Sequence, residues 1–117
     1  MASILIVESH EATRDLYQRE LHRFFSVIAV EDAEAALRAL QTADIAVVIV
    51  EPAGLDDSGW NLISTIYTLR NHPPIRVILC SALDERRRGL ALGAAAYLVK
   101  PVLPATLLET VHRVLQG

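Results

Sequence analysis

The segment DIAVVIV, residues 44–50, decides the fold. Its one charge stands first, and every residue from Ile45 to Val50 is apolar. A run that is apolar at every position, rather than at alternate ones, is buried on both faces, as in a strand inside a parallel sheet.

Working outward, the same texture recurs at SILIV (3–7), FSVIAV (25–30), IRVILC (75–80) and AAYLV (95–99). Between these runs the apolar period becomes helical. From His10 to Phe24, the residues Ala12, Leu16, Tyr17, Leu21 and Phe24 fall on one face. From Asp32 to Thr42 the stripe is Ala33, Ala36, Leu37 and Leu40, with Asp32 as N-cap. Gly59 to Arg70 reads as a helix closed by the breakers in NHPP (71–74). Asp84 caps a helix running through Leu92, and Gly93 ends it as a left-handed cap. In the last helix Pro104 sits in the first turn, followed by Leu107, Leu108, Val111, Val114 and Leu115. Five strands alternating with five helices predict one doubly wound α/β domain spanning residues 1–117.

Composition narrows the function classes. The 117 residues are 52% hydrophobic and 21% charged, which suits a globular domain with a single core. A net charge of −3 and a pI near 5.7 argue against a nucleic-acid-binding face. No apolar run reaches the roughly 18–20 residues that span a bilayer. MASILIV has no basic n-region, so no signal peptide is expected. The single cysteine, Cys80, excludes an internal disulfide framework, fits a reducing cytoplasmic setting, and reads as a small buried hydrophobe. His10, His22, His72 and His112 are scattered and predict solvated positions rather than metal ligands. Ten of the eleven basic residues are arginine, and Lys100 is the only lysine.

In a doubly wound sheet the working crevice lies beyond the carboxyl ends of the strands. Those ends are Glu8-Ser9, Glu51, Ser81 and Lys100-Pro101. Two carboxylates, two hydroxyls and one ammonium are therefore expected to converge on one edge, and the only lysine is among them.

With these residues in place, the sequence resembles a receiver domain of two-component response regulators, of the kind found alone in chemotaxis signalling. ILIVESHEATRDLY resembles the first strand and helix of that family, where two acidic residues end the strand. VVIVEPAGLDDSG resembles the segment with the phosphoacceptor aspartate, and Gly59 keeps the usual eight-residue spacing from it. CSA (80–82) resembles the end of strand four, where a hydroxyl meets the phosphoryl group. GAAAYLVKP (93–101) resembles the strand-five signature, with Tyr97 at the switch aromatic and Lys100 at the phosphate-contacting lysine. The resemblance covers nearly the whole chain. It implies a flavodoxin-like (βα)5 fold with a five-stranded parallel sheet in the order 2-1-3-4-5.

The departures from the family pattern carry chemistry. Glu51 stands at the phosphoacceptor position in place of aspartate, Ser9 replaces the second carboxylate of the acidic pair beside Glu8, Pro52 follows the acceptor, and Leu55 replaces a frequent proline. The standard pocket holds about −2 from three carboxylates and a lysine, which Mg²⁺ neutralises. Here Glu8, Glu51 and Lys100 sum to −1, two carboxylates against one ammonium. No metal is required on this count, and Glu8 with Glu51 would make at most a weak Mg²⁺ site. The extra methylene moves the carboxylate of Glu51 about 1.5 Å further out. Phosphoryl transfer depends almost wholly on positioning and charge stabilisation, so the displaced group should react poorly. Pro52 also removes a backbone donor beside the acceptor.

Lys100 is expected to pair with Glu51, with Ser81 as hydrogen-bond partner. Tyr97 reads equally as a switch rotamer and as a half-buried sheet aromatic. The run Arg86-Arg87-Arg88 is a solvated face that also lies on a surface the family uses for docking. Asp56 and Asp57 suit the loop and N-cap before Gly59, and Trp60 suits packing.

These residues predict a degenerate receiver acting as a phosphorylation-independent interaction module. Its partners would be an output domain, a sensor kinase or another signalling protein, or a second copy through the helix 4–strand 5–helix 5 face. Neither membrane nor nucleic acid is expected as a partner. The alternative is a Mg²⁺-dependent phosphoacceptor at Glu51. A small α/β enzyme or nucleotide-binding domain is disfavoured, because no G-x-G-x-x-G, P-loop or Ser-His-Asp set is present.

Overall fold

The computed structural model describes residues 3–52, 57–69 and 74–116. Its strands are β1 (Ser3–Val7), β2 (Ser26–Val30), β3 (Ile45–Val50), β4 (Arg76–Ser81) and β5 (Ala96–Val99). They alternate with α1 (Glu11–His22), α2 (Ala33–Thr42), α3 (Asp57–Thr68), α4 (Arg86–Ala91) and α5 (Pro104–Gln116). The strands form one sheet in the order β2-β1-β3-β4-β5, and every pairing is parallel. This is the doubly wound five-stranded α/β fold expected from the sequence.

Alternate residues of each strand serve two different cores, which is why the strands are apolar throughout. Leu5, Val7, Val48, Val50, Val77 and Leu79 face one side, where Ala36 of α2 and Trp60, Ile63 and Ile66 of α3 pack. Ile4, Ile6, Val47, Ile49, Ile78 and Cys80 face the other, against Tyr17 and Leu21 of α1 and Leu107, Val111 and Val114 of α5.

The helix ends show which local rules win. Asp32 caps α2 by accepting from the Ala35 N–H at 2.8 Å. Pro104 is the first residue of α5, and Gly93 takes φ +103° after α4. Gly59 lets α3 begin hard against the end of β3, since a Cβ there would stand 2.6 Å from the Pro52 carbonyl oxygen.

Several boundaries and faces differ from the sequence reading. Helix α3 begins at Asp57 rather than Gly59, and Asn71, His72 and Pro73 lie outside the described residues, as do Leu55 and Asp56. Helix α4 begins at Arg86 with Glu85 at its N-cap, because the backbone before it is held by side chains of the sheet. Asp84 still accepts from the Arg86 N–H, at 3.3 Å. In α1 only Tyr17 and Leu21 are buried. Leu16 and Phe24 are 41% and 53% exposed, since the inner stripe follows Tyr17 to Leu21 and Phe24 lies past the helix end.

Candidate functional site

The site is set by backbone hydrogen bonds that carry the sheet one residue past each strand. The Glu8 N–H donates to Val30 O at 3.1 Å, Glu51 N–H to Val7 O at 3.2 Å, and Lys100 N–H to Ser81 O at 2.8 Å. Glu8, Glu51, Ser81 and Lys100 therefore stand at the same carboxyl-terminal edge of β1, β3, β4 and β5.

The ammonium of Lys100 is the hub. Its Nζ donates to Glu8 Oε1 at 2.6 Å and lies 3.0 Å from Glu51 Oε2. The second contact is off the hydrogen-bonding direction, so Glu51 Oε2 has a charge partner and no hydrogen bond. Glu51 Oε1 accepts from the Ser81 hydroxyl at 3.2 Å, and Glu8 Oε2 accepts from the His10 N–H at 3.1 Å. Glu8 and Glu51 are 2% and 5% exposed. Burial works against the charge on Lys100, but the two carboxylates outweigh it, and its pKa is raised above the usual lysine value. Burial also raises the Tyr17 phenol, with Cys80, Glu8 and Glu51 adding to the effect.

Two supports of the pocket escape a sequence reading. His10 is the N-cap of α1, its Nδ1 accepting from the Thr13 N–H at 3.3 Å. Arg14 reaches back from α1 and donates to the Glu8 carbonyl oxygen at 2.9 Å. Histidine is absent from the usual N-cap set, and an arginine six residues from Glu8 looks like any exposed helical charge. The sequence reading began the helical stretch at His10 itself, whereas the helix starts at Glu11 with His10 as its cap.

Ser9 does not join the cluster. Its side chain is exposed and makes no hydrogen bond to Glu8, Glu51 or Lys100. Tyr97 is 7% exposed, more deeply buried than the half-buried position read from the sequence. Its hydroxyl donates to Leu83 O at 2.6 Å and accepts from the Glu85 N–H at 3.0 Å. The Leu83 N–H in turn donates to Ser81 Oγ at 3.2 Å, so Ser81 and Tyr97 grip one residue of the β4–α4 loop from both sides. Further along, Arg88 is split from its neighbours in the arginine run. Its guanidinium lies 3.9 Å from the centre of the Trp60 ring and 3.7 Å from Glu85.

The donor set does not fit a divalent cation. Among the described residues only Glu8 and Glu51 bring carboxylates to the pocket, and the ammonium contacts both of them. Among the described residues no group of three or more His, Cys, Asp or Glu is placed to hold a metal. No described helix is long and apolar enough to cross a membrane.

Residues 4–112 match the response regulator receiver domain. The chain is 32% identical over 110 residues to the transcriptional regulatory protein HprR of Escherichia coli, covering 93% of this chain and 49% of that protein. It is 35% identical to the response regulator protein FleR of Pseudomonas aeruginosa, covering 96% of this chain and 24% of that one. The chain thus spans half or less of the length of these relatives. Among solved structures, a CheY-like response regulator receiver domain protein from Methanospirillum hungatei superposes with a TM-score of 0.88 at 26% identity, over 99% of this chain and 94% of that one. The chemotaxis response regulator CheY4 of Vibrio cholerae gives 0.86 at 25% identity, over 97% and 98% of the two chains.

Proposed function

The chain belongs to the response regulator receiver domain family of two-component signalling, and from that premise we propose that it is a degenerate receiver, signalling by protein contact without phosphorylation. The observation that carries this reading is the state of Glu51. Its carboxylate accepts from Ser81 at 3.2 Å and lies 3.0 Å from Lys100. By family resemblance, these are the groups that would otherwise meet a phosphoryl group. With both engaged by the acceptor side chain itself, the charge stabilisation on which phosphoryl transfer depends is already spent within the ground state. Glu51 carries −1 against the −1.5 to −2 or so of a phosphoryl group, so it holds the place of the activated group only in part.

On this reading the domain is not an enzyme, requires no metal, and works in the cytoplasm. Receivers of this family meet sensor kinases and output domains, and this one would meet such a protein, or a second copy through α4, β5 and α5, by surface complementarity alone.

Intact-mass measurement after incubation with a small-molecule phosphodonor and Mg²⁺ tests the proposal. No phosphoryl adduct is expected. An adduct present in the wild type and absent from Glu51→Gln would sink the reading and restore Glu51 as a phosphoacceptor.

A further inference from the structure

We infer that the open edge of β2 is a self-association surface, on which a second copy of this chain lays its own β2 antiparallel and makes one continuous sheet of the two. This edge lies at the opposite end of the sheet from β5, and pairing along it needs neither a phosphoryl group nor a metal.

The backbone of β2 is open and unguarded on this side. Val30 O accepts from the Glu8 N–H at 3.1 Å, so Val30 turns its peptide groups toward β1. Peptide groups alternate sides along a strand, so Ser26 and Ile28 turn the same way. Val27 and Ala29 therefore aim their N–H and C=O groups at the open side. No described strand pairs with them there. Exposed edges are ordinarily blunted by a charge, a proline or a bulge. The segment Phe25 to Val30 holds no charged residue and no proline, and β2 keeps an unbroken register with β1 from Ser26 to Val30. The β5 edge is shorter and runs straight into Lys100 and Pro101.

A second copy also meets matching charges. Beside β2, helix α1 leaves an open groove lined by Asp15, Gln18, Arg19, His22 and Val27. Asp15 and Arg19 are exposed, lie one helical turn apart, and enter no ion pair among the described residues. Pairing β2 with β2 around a two-fold axis perpendicular to the sheet sets the two α1 helices side by side and antiparallel on one face. Asp15 of each copy then stands opposite Arg19 of the other, the self-complementarity that an isologous contact requires. Neighbouring packed helices lie about 8–10 Å apart, within reach of such pairs. A foreign extended peptide would satisfy the same backbone groups, but it has no α1 to answer Asp15 and Arg19. The edge is only five residues long, so the dimer is weak, with a Kd on the order of 0.1 mM.

Sedimentation velocity and amide hydrogen exchange, run from about 10 μM to 1 mM protein, test the pairing. The wild type should dimerise reversibly, with the Val27 and Ala29 amides gaining protection as concentration rises. Asp15→Arg and Arg19→Asp should each weaken the dimer roughly tenfold, because each sets two like-charge contacts across the axis. The double variant Asp15→Arg/Arg19→Asp exchanges the charges and should return the wild-type affinity. Ala29→Pro removes an outward donor and no bond to β1, and should leave the protein monomeric. A wild type that stays monomeric at about 1 mM would overturn the inference. So would a dimer whose Val27 and Ala29 amides stay unprotected, or a charge-exchanged double variant that binds no tighter than the single ones.

Discussion

Lys100 is a half-buried cation made secure by its neighbours, and its stability contribution has a definite pH window. Burial disfavours the ammonium, but Glu8 and Glu51 outweigh burial and raise its pKa above 10.5. A folded-state pKa above the unfolded one contributes stability that is fully present below the unfolded value and lost as pH rises through the folded value. The urea midpoint should therefore fall as pH climbs past 10.5, the ordinary value for this group. Tyr17 and Tyr67 are raised by burial and act in the same direction, so the share of Lys100 is the difference between wild type and Lys100→Met across that window. At neutral pH, Lys100→Met should cost about 3 kcal/mol, the low end for stranding buried charges, because Lys100 is itself partly exposed. A pH profile identical in the two proteins would contradict this account. The four residues of the cluster were legible because strand ends in a parallel sheet converge. Which carboxylate takes the hydrogen bond was not legible. The expected Lys100–Glu51 ion pair and the Ser81 hydrogen bond to Glu51 are both present, at 3.0 Å and 3.2 Å. That Glu8 takes the ammonium's hydrogen bond, at 2.6 Å, is a choice made by side-chain torsions that spacing does not encode.

At the scale of elements, the eight-residue step from Glu51 to Gly59 acquires a physical cause. It brings the start of α3 against the Pro52 backbone, so closely that a Cβ at residue 59 would lie 2.6 Å from the Pro52 oxygen and 2.7 Å from its Cα. Both obstacles are backbone and cannot swing aside. Gly59→Ala should destabilise the domain by about 1–3 kcal/mol, read as a lower urea midpoint. An unchanged midpoint would show that α3 can shift without cost. Caps and breakers made most helices readable, as with Asp32, Gly93 and Pro104. The start of α4 was not, because Ser81 and Tyr97 fix the preceding loop through contacts 2 and 14 residues away from Leu83. The imidazole cap of α1 was missed because histidine rarely takes that place.

For the whole molecule, the unbroken apolar runs made the parallel sheet and its two cores legible. They do not tell edge from centre. SVIAV in β2 is nearly as apolar as IAVVIV in β3, yet β2 is only partly buried at the sheet edge. The strand order was implied by the family resemblance rather than by the runs. Cys80 gauges the integrity of the second core. It is 1% exposed, and burial pushes its thiol up to about 12, with Lys100 lowering it and Glu51 and Glu8 raising it. Alkylation should therefore require global opening, and its rate, followed by mass spectrometry, should track stability across the variants above. Rapid labelling of the native wild type would show that β4 opens locally. The stack of Arg88 on Trp60 has a wider consequence. Trp60 is the only indole in the chain, rooted in α3 within the first core, and the charge beside it belongs to α4. Light emitted by this protein is therefore coloured by the placement of α4, which gives the domain an intrinsic optical gauge on the surface it would present to a partner.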